Sequence, residues 1–98
     1  MSRHGLKEVV HVVVRGRVQG VGFRYHAETV ARRHGVAGWV RNLPTGEVEI
    51  LARLDDARKA GFLAEIRQGP PAARVTGMEV GPAPPGMTPP AAGFSVRF

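Results

Sequence analysis

The chain has 98 residues, of which 43% are hydrophobic and 22% charged, the composition of an ordinary globular protein. Its formal net charge is +6, and it has no cysteine, which excludes disulfides, thiolate metal sites and a thiol nucleophile. The length predicts a single domain over residues 1–98. No apolar stretch approaches the ~20 residues that span a bilayer, and no apolar region follows residues 1–5 as in a signal peptide. We therefore expect a cytoplasmic monomer with no membrane partner.

Arginine supplies almost all of the positive charge, with 12 residues against two lysines. This balance favours an anionic partner, from a small phosphate ester to RNA. The arginines are scattered along the chain, however, and only Arg32 and Arg33 are adjacent. Because a nucleic-acid interface is typically a clustered basic patch, we favour a solvated arginine surface and expect no nucleic-acid partner.

Apolar periodicity divides the chain into strands and helices. In chain order it predicts a strand over residues 8–15, a helix over 23–34, strands over 37–42 and 47–52, a helix from 55 to 68, and strands over 74–80 and 94–98. Leu-Pro-Thr-Gly at residues 43–46 is a hairpin signal, and Gly35 and Gly69 stand where the two helices end.

Each predicted helix has apolar residues at helical spacing, so that one face can pack on a sheet. The first helix places Phe23, Ala27, Val30 and Ala31 on that face, and the second places Ala60, Leu63 and Ile66 there, with Phe62 beside them.

Residues 81–93 contain five prolines and three glycines without periodicity, and are predicted to be a loop within the domain. The resulting order is β-α-β-β-α-β plus a short C-terminal strand. This order is typical of the ferredoxin-like α+β sandwich, in which two helices cover one face of a mainly antiparallel sheet.

Residues 16–24, Gly-Arg-Val-Gln-Gly-Val-Gly-Phe-Arg, link the first strand to the first helix through three glycines. Such a turn presents several backbone N–H groups to a phosphate, and Arg24 adds a permanent cation with forked donors. The segment fails as a Walker loop because it has no lysine, and as a dinucleotide fingerprint because Tyr25 stands where the third glycine belongs. It shares two glycines and Phe23 with the RNA-recognition pattern, but that pattern lies on an interior strand and this segment begins a helix.

The start of the first helix breaks two local rules. Neither Val21 nor Gly22 has a side-chain oxygen that could cap the first N–H groups, and Arg24 opposes the helix dipole by about 0.3–1 kcal/mol. A bound anion would remove both costs, and departures of this kind are often functional. The alternative is a glycine-rich turn that serves tight packing, with Arg24 in water.

Several motifs, taken together, resemble the acylphosphatase family over residues 9–98. They are Gly16-x-Val18-Gln19-Gly20-Val21-Gly22-Phe23-Arg24, Gly38-Trp39-Val40-Arg41-Asn42, Gly46-x-Val48-Glu49, Gly69-Pro70 with Ala73 and Val75, and Phe94-Ser95-Val96-Arg97-Phe98. Thr45-Gly46 departs from the Asp-Gly of many members, which affects the hairpin turn and not the chemistry. The proline-rich segment 81–93 is the other departure.

The resemblance implies a ferredoxin-like fold and hydrolysis of the carboxyl–phosphate bond of small acyl phosphates, without a metal or other cofactor. It implies that Arg24 is the phosphate-binding catalytic arginine and that Asn42 positions the attacking water. The residues whose backbone N–H groups it assigns to the phosphate cradle are Val18, Gln19, Gly20, Val21 and Gly22.

The residue chemistry agrees with this implication. A carboxylate is a good leaving group, so the reaction needs charge stabilisation and a positioned water rather than a general acid. Arg24 and the loop amides can supply the first, and Asn42 the second, because its amide donates and accepts without titrating. With no obvious base, a phosphate oxygen of the substrate is expected to take the water's proton. By strand alternation, Asn42 lies on the side of the first helix if Val40 packs beneath that helix. Taken alone, Asn42 before Leu43-Pro44 is an ordinary turn residue.

Two other functions remain open. The resemblance extends to the N-terminal domain of hydrogenase-maturation carbamoyltransferases, which use carbamoyl phosphate and carry long zinc-containing segments, whereas a free-standing hydrolase is expected at 98 residues. A module that binds RNA or another anion would need exposed aromatic residues on the open sheet face, for which Trp39 alone is a candidate. His11, His26 and His34 lack metal-ligand spacing, so no metal site is predicted.

Overall fold

The elements follow one another in the predicted order. A computed structural model describes residues 7–98, so the expectation about residues 1–5 lies outside the described residues. The elements are β1 (Lys7–Arg17), α1 (Phe23–His34), β2 (Ala37–Asn42), β3 (Val48–Asp55), α2 (Asp56–Gln68), β4 (Arg74–Pro82) and β5 (Phe94–Arg97). No helix among them has the length and apolar character needed to cross a membrane.

The five strands form one sheet in the order β4-β1-β3-β2-β5. Every pairing is antiparallel except that of β2 with β5, which is parallel. Both helices pack on the same face of this sheet, and their apolar residues share one core with it. The predicted ferredoxin-like α+β sandwich is confirmed.

The core lies between the helices and one face of the sheet. In β1 the buried residues are Val10, Val12 and Val14, in strict alternation, as expected for a strand with one face on the core. Burying each such side chain fully contributes about 1.5–3 kcal/mol relative to leaving it in water. In α1 the predicted face is confirmed, since all four of its residues are buried.

The predicted apolar face of α2 is confirmed at Ile66 and wrong at Ala60. Phe62 and Ile66 are its buried residues, Leu63 is half-buried and Ala60 is exposed. Burial energy scales with apolar area, so the phase of the helix is set by its largest apolar side chain, Phe62, with Ile66 one turn later. The smaller Ala60 falls on the solvent side.

Several strand boundaries also differ from the predictions. β1 extends to Arg17 rather than to residue 15, because its last two residues pair with β4. β3 extends to Asp55 because β1 continues to pair with it as far as Lys7. Gly81 and Pro82 belong to β4 rather than to the loop, since they pair with His11 and Val10. Proline is tolerated there because β4 is an edge strand, whose outward N–H groups need no ladder partner. The loop is therefore residues 83–93.

The loop 83–93 carries the chain from one edge of the sheet to the other, since β4 and β5 are the two edge strands. Its end is fixed where the N–H of Gly38 donates to the carbonyl of Gly93 at 2.9 Å. From there β5 runs parallel to β2 and places Arg97 opposite Arg41. The C-terminus consequently reaches the same end of the sheet as the last residue of β2, Asn42.

Candidate active site

A five-residue loop, residues 18–22, joins β1 to α1. Gly20 and Gly22 have φ values of +74° and +81°, a left-handed conformation that side chains rarely adopt. Gly22 caps α1, and no side chain bonds to the helix start, as predicted. The first intrahelical bond is donated by the N–H of His26 to the carbonyl of Gly22 at 3.0 Å. The N–H groups before His26 therefore have no partner within the helix.

The backbone N–H groups of residues 18–22 are likewise free of partners among residues 7–98. They precede a helix with no acidic residue in its first turn, so the positive end of the helix dipole is not neutralised from within the chain. Unpaired donors and an uncompensated dipole together favour an anion at this position.

Gln19 ties this loop to the β2–β3 hairpin. Its side-chain amide donates to the carbonyls of Leu43 and Glu47 at 2.7 and 2.8 Å. The hairpin itself is closed by the N–H of Leu43 donating to Glu47 and that of Gly46 to Leu43. The bond to Leu43 reaches the residue that follows Asn42, so the Gln19 side chain fixes the distance between the loop and Asn42. The sequence assigned Gln19 only a backbone role, and nothing in its spacing indicated this tie.

The Arg24 side chain is held from the C-terminus. Its Nη1 donates to the carbonyl of Arg97 at 3.1 Å, and its guanidinium carbon lies 4.5 Å from the centre of the Phe98 ring, a cation–π contact. The arginines of residues 7–98 that form salt bridges are Arg15, Arg32, Arg33, Arg41 and Arg58. Arg24 is not among them, so its charge is available to an external anion. The motif reasoning did not identify either of these contacts.

A small cavity of about 100 Å³ brings the two predicted catalytic residues together. It is lined by Val18, Gly20, Gly22, Phe23, Arg24, Tyr25 and Asn42. Val40 is fully buried under the helices, and Asn42 lies on the same side of the sheet as the start of α1, as strand alternation predicted. Gln19 and Val21 do not line the cavity. Tyr25 does, although no sequence motif indicated a role for it.

Two larger cavities lie away from these residues. One of about 320 Å³ is at the C-terminal end of α1, between Arg32 and residues 91–94. The other, of about 290 Å³, is near the start of β1, where Lys59 donates to Glu8 at 3.1 Å. Neither is lined by residues 18–24 or by Asn42.

The histidines of residues 7–98 have partners outside the small cavity. His26 donates through Nε2 to the carbonyl of Glu65 on α2 at 3.2 Å, and His34 bonds to the Glu65 carboxylate. His11 donates to Glu49 at 2.7 Å on the far face of the sheet. Within residues 7–98, no three His, Asp or Glu side chains converge as metal ligands would. The cavity lining holds no carboxylate and no imidazole.

The open face of the sheet carries a charged cluster rather than an aromatic platform. Trp39 is only 3% exposed, and the guanidinium groups of Arg41 and Arg97 lie 5.0 and 4.7 Å from its ring centre. Glu49, 5% exposed, bonds to His11 and Arg41. Burial raises the pKa of Glu49, but these two hydrogen bonds outweigh it and hold the pKa below its ordinary value. The RNA-binding alternative therefore lacks the exposed ring that it needed from Trp39.

Comparison with known proteins finds related sequences and structures. The acylphosphatase family model matches residues 10–96. An acylphosphatase from Methylococcus capsulatus is 54% identical over 71 residues, which are 72% of this chain and 77% of that protein. The crystal structure of acylphosphatase from Bacillus subtilis superposes with a TM-score of 0.79 at 35% identity, covering 92% of this chain and 98% of that one.

A similar fold also occurs inside a much longer protein. A crystal structure of HypF from T. kodakarensis matches with a TM-score of 0.77 at 29% identity. The match covers 95% of this chain but only 12% of that chain.

Proposed function

This chain belongs to the acylphosphatase family, and we propose that it hydrolyses the carboxyl–phosphate bond of acyl phosphates without a metal ion, with Arg24 and Asn42 as its catalytic residues. Family membership supports a hydrolase of acyl phosphates. The observation that carries the residue roles is one cavity lined by Arg24, by Asn42 and by residues at the start of α1.

The phosphoryl group binds at the start of α1. The unpaired N–H groups of residues 18–22 and the helix dipole stabilise its oxygens, and the forked donors of Arg24 neutralise their charge. These groups lie in place before substrate arrives, because Gln19 holds the loop and Arg97 holds Arg24. Preorganised donors of this kind stabilise a transition state without reorganising during the reaction.

Asn42 positions the attacking water. It stands at the end of β2, opposite Val48 in the hairpin, and it lines the same cavity as Arg24. An amide can accept a hydrogen bond from the water and donate one to a phosphoryl oxygen, and it keeps both capacities at any physiological pH. Holding the water in line with the breaking bond removes much of the entropic barrier.

The reaction needs no protein acid or base. The water oxygen forms a bond to phosphorus while the bond from phosphorus to the acyl oxygen breaks, and the carboxylate leaves with that electron pair. A phosphoryl oxygen takes the water's proton, so the products are a carboxylate and inorganic phosphate. The absence of carboxylate and imidazole groups from the lining residues supports this route.

Among possible general bases, His26 is the nearest to Arg24 in the sequence. Its replacement tests whether proton transfer needs a base from the protein. Because its Nε2 is directed at the Glu65 carbonyl on α2, we expect His26→Gln to change kcat/KM far less than the ~100-fold or more that losing a general base costs. The measurement is steady-state hydrolysis from pH 5 to 8. A loss of ~100-fold with an intact fold would make His26 the base.

Hydrolysis of benzoyl phosphate in the presence of a chelator tests the proposal as a whole. We expect the wild type to be active, and Arg24→Ala and Asn42→Ala to lose at least ~100-fold in kcat/KM. Arg67→Ala is the matched control, since it removes the same charge from an exposed position at the end of α2. An inactive wild type, or losses equal to that of Arg67→Ala, would refute the proposal.

A further inference from the structure

In the proposed complex the phosphoryl group lies in the small cavity at the start of α1. The volume of this cavity is about 100 Å³, against about 320 and 290 Å³ for the two other cavities. The acyl group is bonded to the phosphoryl group through one oxygen, so it lies against the residues that line or adjoin this cavity.

Two exposed aromatic side chains belong to or adjoin this set of residues. Among residues 7–98 the exposed large hydrophobic side chains are Tyr25, at 59%, Phe98, at 89%, and Val80, at 41%. Tyr25 and Arg24 both line the cavity, and the ring of Phe98 stacks on the guanidinium of Arg24. Val80 lies on the edge strand β4, away from the cavity. The apolar surface that the described chain leaves in water is thus concentrated beside the phosphate-binding cation.

Each ring projects from backbone that belongs to or adjoins a regular element. Tyr25 is the third residue of α1, and its carbonyl accepts a hydrogen bond from the Thr29 hydroxyl at 3.0 Å. Phe98 follows directly after β5, and the carbonyl of the preceding residue, Arg97, accepts the bond from Arg24. The backbone positions from which the two rings project are therefore set relative to Arg24.

We infer that Tyr25 and Phe98 form the acyl-binding surface of this site and make it selective for acyl phosphates with an aromatic or bulky apolar acyl group over acetyl phosphate. The inference rests on the proposed function, since it concerns the same site and reaction. A benzoyl group placed between the cavity and these rings loses apolar surface to both of them, whereas the single methyl group of an acetyl group loses little.

The test compares kcat/KM for benzoyl phosphate and acetyl phosphate in the wild type, Tyr25→Ser, Phe98→Ala and Val80→Ser. We expect the benzoyl-to-acetyl ratio to fall by about tenfold in Tyr25→Ser and by a similar factor in Phe98→Ala. Dividing by the wild-type ratio removes the difference in intrinsic reactivity of the two substrates. Val80→Ser is the control for loss of an exposed apolar side chain, and it should leave the ratio unchanged.

Inhibition by inorganic phosphate supplies a second measurement. Phosphate has no acyl group, so its inhibition constant should change by no more than about twofold in Tyr25→Ser, while KM for benzoyl phosphate rises. If Phe98 served only to support Arg24, Phe98→Ala would weaken both substrates and phosphate alike, and the ratio would not change.

The outcomes separate the inference from the function on which it rests. A wild type inactive on both substrates refutes the proposed function and the inference with it. An active wild type whose benzoyl-to-acetyl ratio is unaffected by Tyr25→Ser and Phe98→Ala refutes the inference alone. A ratio that falls in both variants and not in Val80→Ser establishes it.

Discussion

The two helices begin in opposite ways. α2 is capped from within the chain, because the Asp55 carboxylate accepts from the N–H of Arg58 at 3.0 Å and Asp56 adds negative charge to the first turn. α1 starts at Gly22 with no side-chain cap, no acidic residue and the cation Arg24. Both starts present the same backbone donors and the same dipole. The start of α2 is therefore capped by carboxylates of the chain itself, whereas the backbone donors at the start of α1 remain available to an anionic ligand.

The largest expected effect comes from placing a carboxylate at Asn42, which lines the cavity at the start of α1. Asn42→Asp preserves the size of the side chain, but its charge repels the phosphoryl oxygens and pairs with Arg24. We expect kcat/KM for benzoyl phosphate to fall by at least ~100-fold, about 2.7 kcal/mol, and inhibition by phosphate to weaken. Asn42→Ala, which adds no charge, is the comparison variant and should bind phosphate more tightly than Asn42→Asp. Tighter phosphate binding by Asn42→Asp than by Asn42→Ala would contradict the proposal that an anion binds at the start of α1.

Inorganic phosphate should stabilise the protein through the start of α1. At ten times its dissociation constant, a ligand that binds only the native state raises the free energy of unfolding by about 1.4 kcal/mol. We expect this increase in urea unfolding of the wild type and of Asp55→Ala, and its loss in Arg24→Ala. Stabilisation that persists in Arg24→Ala would place the bound phosphate elsewhere on the basic surface.

Removing the cap of α2 should affect stability and not chemistry. Asp55→Ala leaves the N–H of Arg58 without its acceptor, and loss of such a cap costs about 1 kcal/mol. Urea unfolding should show this decrease, while kcat/KM stays at the wild-type value because α2 contributes nothing to the cavity lining. A comparable loss of activity would mean that the two helix starts are coupled.

The smallest expected effect concerns Glu49, a carboxylate placed on the face of the sheet opposite to the site. Its pKa in the folded protein is below the ordinary value of 4.5, so its stabilising contribution is present above pH 4.5 and is lost as the pH falls below that value. Glu49→Gln should therefore reduce the stability difference between pH 6 and pH 3, as measured by urea unfolding at both values. A change in the free energy of unfolding between pH 5 and 8 that Glu49→Gln abolishes would contradict a lowered pKa of Glu49.

The sequence predicted what depends on local periodicity and on motifs. The bounds of α1, its uncapped start and the shared face of Val40 and Asn42 all follow from residue spacing, and the structure confirms them. The phase of α2 did not follow, because several apolar residues compete for the core and the packing of Phe62 decides between them.

Residue spacing and motifs could not predict contacts between distant parts of the chain. Arg24 and Arg97 are 73 positions apart, and they meet because β5 pairs in parallel with β2. The Gln19 tie to Leu43 and Glu47 depends in the same way on where the hairpin packs. Motif reasoning identified Arg24 and Asn42 but not the groups that hold them, since register between strands is set by tertiary packing.

Titration of ¹⁵N-labelled protein with inorganic phosphate, followed by amide chemical shifts, tests the contrast between the two helix starts most directly. We expect the largest shifts on the N–H groups of residues 18–22 and on the Arg24 side chain, and no response from residues 55–58 at the start of α2. Shifts spread over the surface arginines, with residues 18–22 unaffected, would contradict this expectation.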